Sequence, residues 1–208
     1  MNVNASVLKR FVIYMAILTF VMFTVWAFLR SYMNRPPGDY ETEVCDIRLK
    51  DKQYDKAIEA ANKALKKTYN HRGAIMCKAL VLISQKNYLE ANKELTYLIN
   101  FLEKNLENDD LTGNGTLAAA YANRGIIKDR EENYEGALND YIKALQVDAE
   151  AVEGPGLGMV ILNYKFKSSS VKKRAKYIYE QLKLPEQERV LKIKELDEGQ
   201  VMHKPGKL

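Results

Sequence analysis

Few residues in this chain are of the kind that hold metals or attack carbonyls, and those few are poorly spaced for either task. A metal site needs several His, Cys or carboxylate ligands at helical or loop spacing. There are two histidines, His71 and His203, and neither has a Cys or His at ligand spacing. The stretch Asp110-Leu-Thr-Gly-Asn-Gly115 begins as a calcium loop does. The bidentate Glu that closes such a loop belongs at position 121, which is Tyr121, so calcium is rejected. Gly154-Pro-Gly-Leu-Gly158 is rich in glycine, yet no Lys-Ser/Thr follows it and no strand precedes it. It reads as a helix breaker and not as a phosphate cradle. No Ser/His/Asp or Cys/His arrangement stands out. Asn4-Ala-Ser6 and Asn114-Gly-Thr116 match glycosylation sequons, which count only in a eukaryotic secretory compartment. The expectation is a protein with no catalytic centre, no cofactor, no metal and no small-molecule substrate.

The elements that carry these residues are set by a repeat. Tyr54-Asp-Lys-Ala57-Ile-Glu-Ala-Ala61-Asn-Lys-Ala64-Leu65 is echoed by Tyr88-Leu-Glu-Ala91-Asn-Lys-Glu-Leu95-Thr-Tyr-Leu98-Ile99 after 34 residues. A third copy, Tyr134-Glu-Gly-Ala137-Leu-Asn-Asp-Tyr141-Ile-Lys-Ala144-Leu145, follows after 34 plus a 12-residue insertion between Phe101 and Thr116. Steps of three and four keep one face of a helix apolar. Ala57, Ala91 and Ala137 stand where two helices approach closely. About nine residues before each Tyr lies another small residue, Cys45, Ala79 or Gly125, which lets a preceding helix nest against the second. Asp39, after Pro36-Pro37-Gly38, is the expected N-cap of the first hairpin. The insertion is expected to lengthen a helix and then form a polar loop.

These positions resemble the tetratricopeptide repeat family, over roughly residues 39–151. The third copy matches best, with Tyr121, Asn123-Arg124-Gly125, Tyr134, Ala137, Tyr141 and Ala144. The resemblance implies an all-α, right-handed superhelical stack of helix-turn-helix repeats, with copies at 39–71, 72–116 and 117–151. It further implies a concave groove lined by the first helices, which binds a protein partner as a peptide or helix. Candidate groove residues are Thr42, Asp46 and Leu49 from the first repeat, Met76, Leu80 and Ile83 from the second, and Ala119, Ala122, Asn123, Ile126 and Asp129 from the third. Chaperone-binding members grip a C-terminal carboxylate with Lys, Arg and Asn; the matching positions here carry Thr42, Asp46, Cys77 and Asn123, so that activity is not expected. Cys45 and Cys77 fall at comparable points of successive first helices. Neighbouring helix axes lie about 8–10 Å apart, wide for a bridge, so two free, buried thiols are expected.

Before the repeats, Phe11–Leu29 is 19 residues without a charge, bounded by Lys9, Arg10 and Arg30. At about 1.5 Å per residue it just spans a hydrocarbon core of about 30 Å. A single-pass anchor at 11–30 is expected, after a short arm at 1–10 and before a Pro/Gly linker at 31–38. Flanking positive charge is close to balanced. The arm, with two charges and the chain amine, is the easier part to keep in the cytoplasm, which sets the repeats on the non-cytoplasmic, periplasmic side.

After the third repeat, 152–198 reads as a degenerate repeat and C-terminal capping helices, and 199–208 as an irregular tail. One helix is expected over Val171–Leu184, with Ala175, Ile178, Tyr179 and Leu182 on its packed side. A second is opened by Pro185 and runs to about Glu198. Residues 31–164 hold 17 Lys and Arg against 21 Asp and Glu, whereas 165–208 hold 12 against 6. Lys165–Lys176 is a candidate anionic-surface patch, weighed against an ordinary solvated helix face. The functional expectation is a membrane-anchored scaffold or adaptor. The alternative is a permanent architectural or assembly subunit of a larger membrane complex.

Overall fold

Each of the three repeat tyrosines opens a helix. The computed structural model describes residues 5–33, 35–107, 109–152 and 170–193. The chain divides into two units, Met1–Pro37 and Gly38–Leu208. The first unit contains α1 (Ala5–Met33). The second contains α2 (Asp39–Lys50), α3 (Tyr54–Lys67), α4 (Arg72–Ser84), α5 (Tyr88–Asn105), α6 (Leu111–Arg130), α7 (Tyr134–Val147), the single turn α8 (Ala149–Val152) and α9 (Val171–Leu182). No strand occurs among the described residues.

Three equivalent turns fold the helices into hairpins. Lys52, Lys86 and Glu132 all take a left-handed conformation, with φ of 57°, 61° and 64°. At the first turn, Lys52 N–H donates to Leu49 C=O and Gln53 N–H to Arg48 C=O. The same pair of bonds recurs at Lys86/Asn87 and at Glu132/Asn133. This is the Schellman closure, which satisfies carbonyls that a helix end leaves orphaned. The residue that completes each closure also caps the next helix. Asn87 and Asn133 accept from Glu90 N–H and Gly136 N–H; Gln53 makes no such bond.

Within and between hairpins, small residues let the helices close up. Ala57, Ala91 and Ala137 are fully buried. A Cβ on Gly125 would stand 2.6 Å from the Tyr141 ring and 3.3 Å from Ala137 C=O, so α6 and α7 approach across a site only glycine fits. First helices pack on first helices (α2 on α4, α4 on α6), and each hairpin's second helix packs on the next hairpin's first. The main core gathers Ile75, Leu95, Leu98, Ile99, Tyr121, Ile127, Tyr141 and Ile178 from α4 to α9. A separate, smaller core under the first repeat consists of Cys45, Ala57, Ala60, Ala61, Cys77 and Val81.

That small core corrects one expectation. Cys45 and Cys77 are joined in a disulfide, not free. Their Cα atoms lie 6.4 Å apart, inside the bridging range. The general helix spacing misled because both thiols face inward between α2 and α4, in a core whose other buried side chains are Ala57, Ala60 and Ala61 of α3 and Val81.

Other boundaries also differ from expectation. The cap position of α2 is Gly38, with φ 101°, and Asp39 is the first helical residue. A Cβ on Gly38 would meet the His71 ring at 2.8 Å, so both conformation and space call for glycine there. The insertion adds length to two helices, giving α5 18 residues and α6 20. Thr112–Thr116 lies within α6 and not in a loop. Leu106 explains Gly113: its Cδ1 sits 2.1 Å from where a Cβ would be. Pro185 opens only a 3-10 turn, Glu186–Glu188, and 189–193 is not helical. Arg189 instead donates to the last carbonyl of α9, Leu182 at 3.2 Å, and to Leu184 C=O just beyond the helix at 2.9 Å, turning the chain back along the helix. Gly154–Gly158, Lys165, Lys167 and the 199–208 tail lie outside the described residues.

In the first unit, Ala5–Arg30 is long and apolar enough to cross a membrane by length and composition, with mean hydropathy 2.3. Its two threonines spend their hydroxyls on their own helix, Thr19 on Met15 C=O and Thr24 on Val21 C=O. A helix in lipid requires this of its polar groups. Arg30 lies over the Trp26 ring, 5.1 Å from its centre.

Candidate protein-docking surface

The first helices α2, α4 and α6 lie side by side, and the candidate groove residues project from them. The structure treats the three repeats differently. In repeats two and three, Met76, Leu80, Ile83, Ala122, Asn123, Ile126 and Asp129 are all buried, at most 4 % exposed, as is Ala119. They do not form an open strip. Asn123 Nδ2 donates to Met76 Sδ at 3.6 Å, joining α6 to α4. In repeat one, Thr42, Asp46 and Leu49 are half-buried.

The C-terminal helix accounts for Asp129. Arg174 of α9 donates to both carboxylate oxygens, Nε to Oδ2 and Nη2 to Oδ1, each at 2.7 Å. Tyr141 Oη donates to the same carboxylate at 3.1 Å. Arg174 is 2 % exposed, and its Nη2 also reaches Leu191 C=O at 3.0 Å. A buried bidentate pair of this kind fixes geometry tightly. It holds α9 against the third repeat through a residue that the family resemblance assigns to the groove. Arg174 is therefore removed from the proposed Lys165–Lys176 surface patch, whereas Lys172, Lys173 and Lys176 are exposed. Tyr179 is exposed too, beneath Lys183 at 4.1 Å, and does not join Ala175 and Ile178 on the packed side.

Charged groups tie the hairpins together elsewhere. Arg124 donates to Asp140 through Nε and Nη2, each at 2.8 Å, and to Thr96 through Nη1 at 3.2 Å. Lys128 reaches the same Asp140 at 2.8 Å. Hydrogen bonding to the Asp140 carboxylate raises the Arg124 guanidinium further above its ordinary value. Burial, and then the Glu103 carboxylate that accepts from its hydroxyl, push the Tyr121 phenol well above its usual range. Neither shift brings a group toward neutral pH, as a general acid or base would require. Among the described residues, no three His, Cys, Asp or Glu side chains are placed to hold a metal ion. Asp110, which opens the sequence that resembles a calcium loop, instead caps α6. It accepts from Gly113 N–H at 2.7 Å and pairs with Arg72. The Arg72 hydrogen bond first, then that of Gly113, hold its carboxyl below the usual range.

At the open end of the stack, Asp39 and Thr42 meet His71. Ala74 N–H donates to His71 Nδ1 at 3.2 Å, so Nε2 carries the proton and donates to Asp39 Oδ1 at 2.9 Å. Glu41 accepts from Lys67 at 2.7 Å, tying α2 to α3, and that bond lowers its carboxyl below the ordinary value. Residue types alone gave no sign that His71 is a cap. The signal available was its place before the apolar run starting at Ala74.

Comparison with known proteins bears on the fold. The first tetratricopeptide-repeat domain of Spaghetti (RPAP3), bound to the HSP90 peptide SRMEEVD, superposes with a TM-score of 0.50. Its identity is 16%, over 71% of this chain and 94% of that one. The Arabidopsis OM64 tetratricopeptide-repeat domain gives a TM-score of 0.47 at 16% identity, over 67% and 94%. No family model matches the chain, and no curated protein matches it. At this identity the likeness concerns architecture: the chain is an all-α, tetratricopeptide-like superhelical stack of repeats.

Proposed function

We propose that this protein is a membrane-tethered scaffold that docks a protein partner on the first helices of its repeat stack and performs no catalysis. The observation that carries this reading is the difference among the repeats. Thr42, Asp46 and Leu49 of repeat one are half-buried, whereas the equivalent residues of repeats two and three are closed. The peptide held by the Spaghetti domain supports docking on such a stack. A ligand gripped by its terminal carboxylate is not proposed, since Cys77 is consumed in the disulfide and Asn123 is buried.

Ala5–Arg30 supplies the tether, and Arg35-Pro36-Pro37-Gly38 keeps the join short. Confinement beside a bilayer raises the effective concentration of a membrane partner. In this reading the repeats lie on the non-cytoplasmic face, because the arm with Lys9 and Arg10 is the part more readily retained inside. The second reading, a fixed subunit of a membrane complex, would have α1 packed against other helices. Full-length protein in mild detergent separates the two: a stoichiometric complex indicates the subunit, free protein the scaffold. A retained partner should be lost on Asp46→Lys, which reverses charge at the open end. Retention undiminished by that change removes the docking assignment.

A further inference from the structure

The first repeat buries only small apolar side chains completely. Its buried core consists of Cys45, Ala57, Ala60, Ala61, Cys77 and Val81, and the bulkier Leu49, Tyr54 and Ile58 are only partly buried against it. It is the terminal repeat of a stack in which each repeat is stabilised by its neighbours, and it has one neighbour. Neither of its helices has a side-chain cap. The covalent link from Cys45 in α2 to Cys77 in α4 crosses the boundary between repeats one and two, spanning 32 residues of sequence. Both half-cystines are fully buried, and the chain has no other cysteine.

We infer that the Cys45–Cys77 bond is a permanent staple on which repeat one depends, and that the domain therefore matures and works in an oxidising compartment beyond the membrane, where its partner must also be found. Forming the bond removes two electrons and two protons from two thiols. The acceptor is the disulfide of a thiol–disulfide oxidoreductase, which is reduced to its dithiol as the new bond forms by exchange. A reducing cytosol holds such a pair as thiols. Burial then shields the finished bond from further exchange, which marks it as structural and not as a switch. The inference deepens the tethered-scaffold reading, because it names the side of the membrane from a fact independent of the flanking charges.

The test uses the full chain in the membranes of cells that produce it. Cells are quenched in acid and alkylated with a maleimide-polymer before or after reduction, and a protease is added to the non-cytoplasmic face of intact membranes. The expected result is no adduct before reduction, two adducts after it, and cleavage of the repeat domain from outside. Two adducts before reduction would overturn the inference. So would an intact disulfide in a repeat domain that is protected from the outer protease. In detergent, reduction should speed proteolysis within residues 39–67 by roughly five-hundredfold, the factor that loop-closure entropy over this span corresponds to. An unchanged rate overturns the staple. None of these measurements involves a partner, so failure to find one counts against the docking reading alone.

Discussion

Repeat one and repeats two and three share a backbone and differ in what holds them. The turns at Lys52, Lys86 and Glu132 close with the same two hydrogen bonds. Beneath the later turns lies a core of Leu, Ile, Met and Tyr side chains, sealed by α9 and the Arg174–Asp129 pair. Beneath the first lie alanines, Val81 and a disulfide, with Leu49, Tyr54 and Ile58 only partly buried against them. His71, Asn87, Asp110, Asn133 and Ser170 cap the later helices, whereas α2 and α3 have no side-chain cap. One backbone design can thus be held together by buried area or by a covalent link. The weakly cored end is also the end whose first helix keeps its polar side chains half-exposed.

The comparison can be broken most forcefully at the sealed end. Asp129→Ala removes the carboxylate from the buried Arg174 and should cost about 3–5 kcal/mol, measured by denaturant unfolding of the detergent-solubilised chain. Detachment of α9 should accompany it, seen as lost amide protection over Val171–Leu182. At the stapled end, Cys45→Ala with Cys77→Ala should cost about 3–4 kcal/mol by loop-closure entropy. The loss of hydrogen-exchange protection should be confined to residues 39–67, with 88–147 unaffected. A uniform loss would mean that the two ends are not energetically distinct. Gly125→Ala forces a methyl against the Tyr141 ring and should cost about 1–3 kcal/mol, with a matching fall in melting temperature.

Two milder changes sharpen the same contrast. Gln53→Asn gives α3 the cap that Asn87 and Asn133 supply elsewhere and should add about 1 kcal/mol; the equivalent Asn133→Gln should remove a similar amount. The smallest effect is in pH dependence. The Asp110 carboxyl is depressed by Arg72 and by Gly113 N–H. Its contribution is therefore complete above the ordinary aspartate value and disappears as pH falls through the lower folded one. Asp110→Asn should flatten the acid limb of the stability profile and lower stability near neutral pH by at most about 1 kcal/mol, since the pair is partly solvated. A limb of unchanged slope would show that the Arg72 contact is not maintained in solution.

The repeat fixed the helices because it is a local signal. Steps of three and four, with Ala at each crossing, are enough to begin α3, α5 and α7 at Tyr54, Tyr88 and Tyr134. Phe11–Leu29 was visible for the same reason: length and absence of charge need no tertiary partner to be read. Burial of the candidate groove could not be read this way. Met76, Leu80 and Ile83 have the same sequence pattern whether a surface lies open or is covered, and only packing with α6 and its neighbours decides which. The reach of Arg174 to Asp129 spans 45 residues, and nothing near either residue announces it. Likewise the thiols of Cys45 and Cys77 have no preference for one another along the chain. Their bond exists because α2 and α4, packed with the alanine face of α3, bring their backbones within 6.4 Å, a distance set by the packed structure and absent from any local pattern.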